Sequence, residues 1–226
     1  SEGDAWQTLA HAADQVAAGD KVYIKASASY VVEDGSNDCV MYITTAGTGT
    51  SKIVFEGYTT SPGDGGQVTI DASTNTLASA VITAIGGFTH HVYKNFRFTG
   101  GSGDGFDGNG TTNTFIWFEN CRFDNNSGCG LQMGSYAVCI KCTFDNNSLI
   151  GVDTGDYCQF VLCAVYNNVG GIDCAAVCVV VFCLVYNNST GDQISVDRNS
   201  TVINCSIDGN NQANTIALKQ DGGSYC

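Results

Sequence analysis

Proline is nearly missing: the 226 residues hold one, against 28 glycines. That excludes a collagen-like chain, which needs a Gly-X-Y period with abundant Pro. Charge is scarce as well, at 14% of residues, while hydrophobic residues make up 43%. A disordered chain shows the reverse balance. Cations are fewest of all, nine Lys and Arg against 22 Asp and Glu, for a net charge of −13. Phosphate contacts need clustered Lys and Arg, so the composition argues against nucleic acid as a partner. The longest apolar run, Cys174 to Tyr186, has 13 residues, short of the ~18 that a spanning helix requires. No signal-peptide pattern is present, and the chain begins at Ser1, as a processed or excised chain does.

What the sequence does have is a repeat. A cysteine recurs at positions 121, 142, 163, 183 and 205, spaced 21, 21, 20 and 22 residues apart, and Phe96 fills the same slot 25 residues earlier. Two residues after each Cys comes an apolar side chain: Phe123, Phe144, Val165, Val185, Ile207. Asn pairs follow at 125–126, 146–147, 167–168, 187–188 and 210–211. Apolar residues alternate over short runs, which is the period of strands rather than helices. A unit of this length with three short strands is one coil of a solenoid, stable only when stacked on its neighbours. Equivalent residues of stacked coils then form ladders about 4.8 Å apart.

Counting from the repeat Cys predicts the inward ladders. One holds Phe118, Cys139, Phe160, Val180 and Val202. A second holds Ile116, Ala137, Cys158, Cys178 and Ser200, and a third Leu131, Val152, Ile172, Ile194 and Ile216. Ladder cysteines are expected to be small buried hydrophobes, because stacked side chains point in parallel rather than converge. Cys39, Cys129 and Cys226 fall outside the ladders and are the better disulfide candidates. The paired Asn residues suit bends, where Asn tolerates left-handed backbone. The sequons at Asn125, Asn146 and Asn187 follow from this Asn-rich composition.

The first 90 residues are less regular. Trp6, Leu9, Ala13 and Val16 are spaced for a helix over 6–18 that Gly19 terminates. Strands are expected at 22–24, 39–43, 52–55, 67–70 and 80–83. The helix would cap the first coil, and the far end, beyond Leu218, is expected to be covered by a partner or by further sequence. The expected organisation is one all-β domain over 1–226: a helical cap at 1–20, irregular coils at 21–90 and regular coils at 91–226.

The run Trp6-Gln-Thr-Leu, the run Ala17-Ala-Gly-Asp-Lys-Val-Tyr-Ile, the run Lys52-Ile-Val-Phe-Glu-Gly-Tyr and the repeated Asn-Cys-x-Phe-x-x-Asn coil resemble right-handed parallel β-helix proteins. The resemblance spans nearly the whole chain and implies a right-handed parallel β-helix. It does not choose a function, because pectin lyases and hydrolases, phage tailspikes and non-enzymatic surface proteins share the architecture. The Asn-Thr-Asp, Asp-Asp, His-Gly and Arg-Ile-Lys segments of polygalacturonase-like members are not present. A pectate-lyase-like site implies a basic residue over carboxylates, for which only Arg198 and Lys219 are near in phase.

The outward positions of the strand after each Asn pair read Asp107, Gln132, Asp153, Asp173, Ser195 and Ala217. Asp107, Asp153 and Asp173 are the candidate catalytic residues. Carboxylates one or two coils apart fall within the ~5–9.5 Å that acid and base need around a glycosidic bond. A solvated acidic face is the plainer alternative. No cofactor motif is present. The loop Gly100 to Gly110 suits calcium through Asp104, Asp107 and Asn109, although it matches no standard loop spacing. Val138, Ile140, Val161, Leu162, Val179, Val181 and Phe182 are expected to face outward on consecutive coils. Such a patch marks an interaction surface, unless a one-residue slip turns it inward. A homo-oligomer, with a trimer favoured, follows from it. Two readings therefore stand: a non-catalytic structural or adhesive protein of a virion or cell surface, able to bind glycan, and a polysaccharide lyase or glycoside hydrolase acting on an acidic glycan. Both place the chain outside the cell or on a virion. Ice binding would need flat outward Thr arrays, which the ladders lack.

Overall fold

The structure is a computed structural model and describes residues 6, 8–26, 29–32, 37–74, 76–83, 89–108, 115–208 and 218–220. Three parallel sheets wrap around one apolar core. Sheet A holds eight strands: Lys21–Lys25, Ile53–Tyr58, His91–Lys94, Ile116–Glu119, Ala137–Ile140, Gln159–Val161, Val179–Val181 and Thr201–Ile203. Sheet B holds seven: Val68–Asp71, Phe96–Thr99, Arg122–Asp124, Thr143–Asp145, Ala164–Tyr166, Leu184–Tyr186 and Ser206–Asp208. Sheet C holds eight: Cys39–Ile43, Ser79–Thr83, Phe106–Gly108, Leu131–Met133, Ile150–Thr154, Gly170–Cys174, Ile194–Val196 and Leu218–Gln220. Each regular coil runs A, B, C, and every strand pairs in parallel with its counterparts one coil away. This is the parallel β-helix that the repeat predicts.

The predicted ladders are in register. Phe118 pairs with Cys139, Cys139 with Phe160, Phe160 with Val180 and Val180 with Val202. Leu131, Val152, Ile172 and Ile194 form the third wall. That wall then continues to Leu218, not Ile216, because Ile194 pairs with Leu218. The longer connection of the last coil shifts the phase by two residues. Ile216 itself lies outside the described residues.

The corners explain the repeat's polar residues. At the bend from A to B one residue per coil is left-handed: Asn95, Asn120, Lys141, Leu162, Phe182 and Asn204, with φ between 52° and 62°. The adjacent repeat cysteine turns inward and bonds carbonyl oxygens at the bend; Cys163 Sγ lies 3.4 Å from Cys139 O and Cys183 Sγ 3.5 Å from Phe160 O. A thiol suits this position because it is small, apolar and still a weak donor. At the bend from B to C the first Asn of the pairs at 125–126, 146–147, 167–168 and 187–188 is left-handed, and the second is buried. The buried amides form a continuous chain: Asn126 Nδ2 donates to Asn147 Oδ1 at 2.9 Å, Asn147 to Asn168 at 2.9 Å, and Asn168 to Asn188 at 3.1 Å. Gln193 ends it by accepting from Asn188 Nδ2 at 2.7 Å.

Two expectations are corrected. The cap helix is α1 (Leu9–Gln15), shorter than 6–18. Thr8 is its N-cap, its side chain accepting from the His11 N–H, and Val16 is already extended, at φ −72°, ψ 148°. Leu9, Ala13 and Val16 still pack into the core, while Trp6 is exposed. Cys39 and Cys129 are buried thiols rather than disulfide partners. Cys226 lies outside the described residues. Among the described residues no helix is long and apolar enough to cross a membrane.

Candidate functional site

Sheet C carries the predicted acidic row. Register places Tyr42, Ile82, Asp107, Gln132, Asp153, Asp173, Ser195 and Lys219 at one position of successive strands. The Asp107, Asp153 and Asp173 positions therefore share a row. Asp153 and Asp173 occupy adjoining coils, and Asp107 is separated from them by Gln132. The row ends on Lys219 instead of the expected Ala217, because of the two-residue phase shift in the last coil. A cation thus stands two strands beyond Asp173. Its Nζ lies 3.9 Å from Asp192 Oδ2.

The electrostatics of the row are those of crowded carboxylates. Burial, and then the charge of Asp153, push the Asp173 carboxyl up, against a hydrogen bond from Ser195 and the attraction of Lys219. Gln132 Nε2 donates to Asp153 Oδ2 at 3.5 Å. Asp104 lies in the loop before Phe106–Gly108, and its Oδ1 accepts the Cys129 backbone N–H at 2.6 Å. A Cβ on Gly128 would sit 2.4 Å from that oxygen, so glycine leaves the space the carboxylate occupies. Burial pushes the Asp104 carboxyl up as well, with Asp107 and Asp153 adding to the effect. Of the calcium candidates, Asp104 and Asp107 thus lie near one another, while Asn109 lies outside the described residues. Among the described residues no three acid, His or Cys side chains converge as a preformed metal site.

The apolar row also faces outward, so the register slip does not occur. Ile140, Val161, Val181 and Ile203 align on sheet A. Val138 and Val179 stand in the neighbouring outward row and are half-buried. Beside them Leu162 is 51% exposed and Phe182 54%. On earlier coils the Ile140 row and the adjoining bend are polar. Lys94 Nζ pairs with Glu119 Oε2 at 2.6 Å, and Asn120 Nδ2 donates to Asn95 Oδ1 at 2.9 Å. Left-handed backbone is unfavourable for a bulky residue, yet Leu162 and Phe182 adopt it where other coils place Asn.

Sequence reasoning missed two features. One is a charged lattice on sheet B. The buried carboxylates of Asp124 and Asp145 each take a two-pronged contact, from Arg97 (2.7 and 2.6 Å) and Arg122 (2.9 and 2.8 Å). The other is an aromatic ladder at the bend from C to A: His90, Phe115, Tyr136 and Tyr157. Their spacing of 25, 21 and 21 residues was the available signal.

The three sheets define a parallel solenoid with an acidic outer row. The family model described as "Right handed beta helix region" matches residues 63–211, and the chain belongs to that family. No curated protein matches it by sequence. Among solved structures it is similar to a pectate lyase, Pel9A, at 16% identity and a TM-score of 0.67, over 85% of this chain and 56% of that one. It is also similar to a rhamnogalacturonan lyase, at 14% identity and a TM-score of 0.55, over 92% of this chain and 71% of that one. This chain therefore spans little more than half of the pectate lyase's length. At these identities the likeness concerns the fold.

Proposed function

We propose that this β-helix acts on a polysaccharide laid along the outward row of sheet C, with Asp153 and Asp173 as the reacting pair. The observation that carries this reading is their pairing in register on adjoining coils, with the Asp173 carboxyl held above the usual carboxylate range. Adjoining strands lie about 4.8 Å apart, close to the ~5–5.5 Å of a retaining glycosidase pair. Burial favours the protonated form of Asp173, which suits it to the role of the acid. In hydrolysis Asp173 donates its proton to the leaving oxygen as Asp153 attacks the anomeric carbon, and a water deprotonated by Asp173 then releases the sugar from Asp153. In elimination from a uronate Asp173 accepts the proton at C5, the C4–O bond breaks as the C4=C5 double bond forms, and the leaving oxygen takes a proton from solvent. The row repels an acidic glycan unless a cation intervenes, which gives Lys219 or calcium, near Asp104 and Asp107, its role there.

The test is purified protein against neutral and acidic polysaccharides, with and without calcium. The expected result is chain cleavage that Asp153→Asn and Asp173→Asn abolish. New 4,5-unsaturated, ultraviolet-absorbing ends identify a lyase; new reducing ends without them identify a hydrolase. No cleavage on any polymer would overturn the reading.

A second reading rests on the apolar face: a structural or adhesive subunit, of a virion or cell surface, that assembles as a homo-oligomer, a trimer by preference, through Val161, Leu162, Val181 and Phe182. On this view all 226 residues form one domain, secreted or displayed. Sedimentation of the wild type against Leu162→Asn/Phe182→Asn tests it, and a wild type that stays monomeric at high concentration would sink it.

A further inference from the structure

One groove on the outside of the solenoid has the make-up of a small-molecule site. The aromatic ladder at the bend from C to A walls one side of it, and Trp117, Val138 and Gln159 of sheet A lie along its floor. Its volume is about 410 Å³. Pockets that enclose small ligands run to ~300–1,000 Å³ and are mostly apolar and aromatic, with a few placed polar groups. The groove is lined by no Asp or Glu, in a chain with 22 of them. Two of the wall residues, Tyr136 and Tyr157, hold left-handed backbone, at φ 67° and 61°. On a later coil Asn199 takes the equivalent place, at φ 59°. Asn suits that conformation better than an aromatic residue does, and strain of this kind gathers at functional sites.

The wall sets the kind of ring it takes. His90 and Phe115 stack at 4.9 Å and 20°, Phe115 and Tyr136 at 4.5 Å and 30°, and Tyr136 and Tyr157 at 5.0 Å and 7°. Rings that spend their faces on one another turn their edges to the groove, and the edge is the positive part of the aromatic quadrupole. Such an edge attracts the negative face of another aromatic ring, in the T-shaped arrangement. A saturated ring has no such face to offer. At one end of the groove Lys52 is exposed, with Nζ 5.1 Å from the Trp117 ring centroid. Among the described residues no carboxylate forms an ion pair with it. At the other end stands Gln159, exposed, whose amide both donates and accepts. Trp117, Val138 and Gln159 follow one another in register on adjoining coils. Two steps of about 4.8 Å therefore separate the ends, about 10 Å in all.

We infer that this groove binds a planar aromatic carboxylate of the hydroxycinnamate type: one ring, a short unsaturated arm and a terminal acid. The ring presents its face to the edges of Tyr136 and Tyr157. Its hydroxyl meets the Gln159 amide, and its carboxylate meets Lys52. One ring with such an arm has the reach to span those two groups. The site lies on a different sheet from the Asp153–Asp173 pair, and the inference does not rest on cleavage there.

The test is equilibrium dialysis of the full chain against 4-hydroxycinnamate at neutral pH, with the ligand quantified by mass spectrometry. Two controls divide the recognition. 3-Cyclohexylpropanoate keeps the charge and loses the aromatic face; 4-hydroxycinnamyl alcohol keeps the ring and loses the charge. The expected result is saturable binding of the aromatic acid. The cyclohexyl acid should bind several-fold more weakly, the scale of one aromatic pair. The alcohol should bind about tenfold or more weakly, the scale of one charge-assisted hydrogen bond. Lys52→Gln, at an exposed position, should weaken the aromatic acid by that same factor and leave the alcohol unchanged. Tyr136→Asn, a side chain suited to the bend, should fold normally and weaken both aromatic ligands several-fold. Asp173→Asn should leave binding unchanged while abolishing any cleavage, so the two readings fail separately. The inference is overturned if the aromatic acid does not saturate the protein, if the cyclohexyl acid binds as tightly, or if Lys52→Gln leaves the acid unaffected or weakens acid and alcohol alike.

Discussion

The two members of an Asn pair should differ sharply in what they contribute, and Asn147 against Asn146 is the sharpest comparison. Asn147 is buried, and its side chain makes four hydrogen bonds. Its Oδ1 accepts from Asn126 N at 3.2 Å and Asn126 Nδ2 at 2.9 Å; its Nδ2 donates to Phe123 O at 3.1 Å and Asn168 Oδ1 at 2.9 Å. Asn147→Ala strips those partners inside the solenoid. Asn168 Oδ1 keeps the Asn147 backbone N–H at 2.9 Å, and Asn126 Nδ2 keeps a long contact to Phe98 O at 3.5 Å. The Asn126 N–H and the Phe123 carbonyl lose the bonds described here. At about 1–3 kcal/mol for each such group, the loss is about 4 kcal/mol, which for a chain of this size is about 8–16 °C in Tm. Asn146 is exposed and left-handed at φ 56°. Asn146→Ala costs about 1–2 kcal/mol of backbone preference. Calorimetry of both variants decides the matter. Equal losses, or a loss below about 1 kcal/mol for Asn147→Ala, would refute the view that the internal amide chain carries the stability of this corner.

Other outcomes follow from the same geometry. Leu162→Asn with Phe182→Asn relieves left-handed strain of about 1 kcal/mol per residue and gives up a similar amount of partial burial. The dilute monomer should therefore keep its Tm within a few degrees while self-association is lost; a Tm drop of about 10 °C would show that these side chains serve the monomer. Asp173 has a raised folded carboxyl pKa, so its contribution is full below the unfolded value and is lost as pH rises through the folded one. Asp173→Asn should thus stabilise the protein at neutral pH and lose that advantage in acid, as melting across pH will show. Burial pushes the Cys129 thiol up to about 11, and burial raises the Cys163 thiol as well. Alkylation of the native protein mapped by peptide mass should therefore spare both at neutral pH; rapid modification of Cys163 before unfolding would contradict the inward corner ladder. Arg122→Ala leaves the buried Asp145 without its two-pronged partner and should cost about 3–5 kcal/mol, read by denaturant titration.

The amino-acid sequence alone determined the coil. Its Cys period, the apolar residue two places later and the Asn pairs are local features, and in a solenoid each coil meets only its neighbours. A one-dimensional repeat therefore becomes a three-dimensional ladder without distant contacts to resolve. That is why Phe118 through Val202, the acidic positions 107, 153 and 173, and the outward apolar row could all be placed before any coordinates. Tertiary structure decided what the repeat does not encode. The last coil departs from the period, and only strand pairing puts Lys219, rather than Ala217, at the end of the acidic row. Arg97 and Arg122 reach across coils to buried carboxylates, a pairing set by side-chain reach. The aromatic ladder is in phase in the sequence, but the groove it walls also takes in Lys52, a residue from a coil whose spacing is irregular. Register follows from periodicity; which side chains converge on a surface depends on how irregular loops bring unrelated coils together.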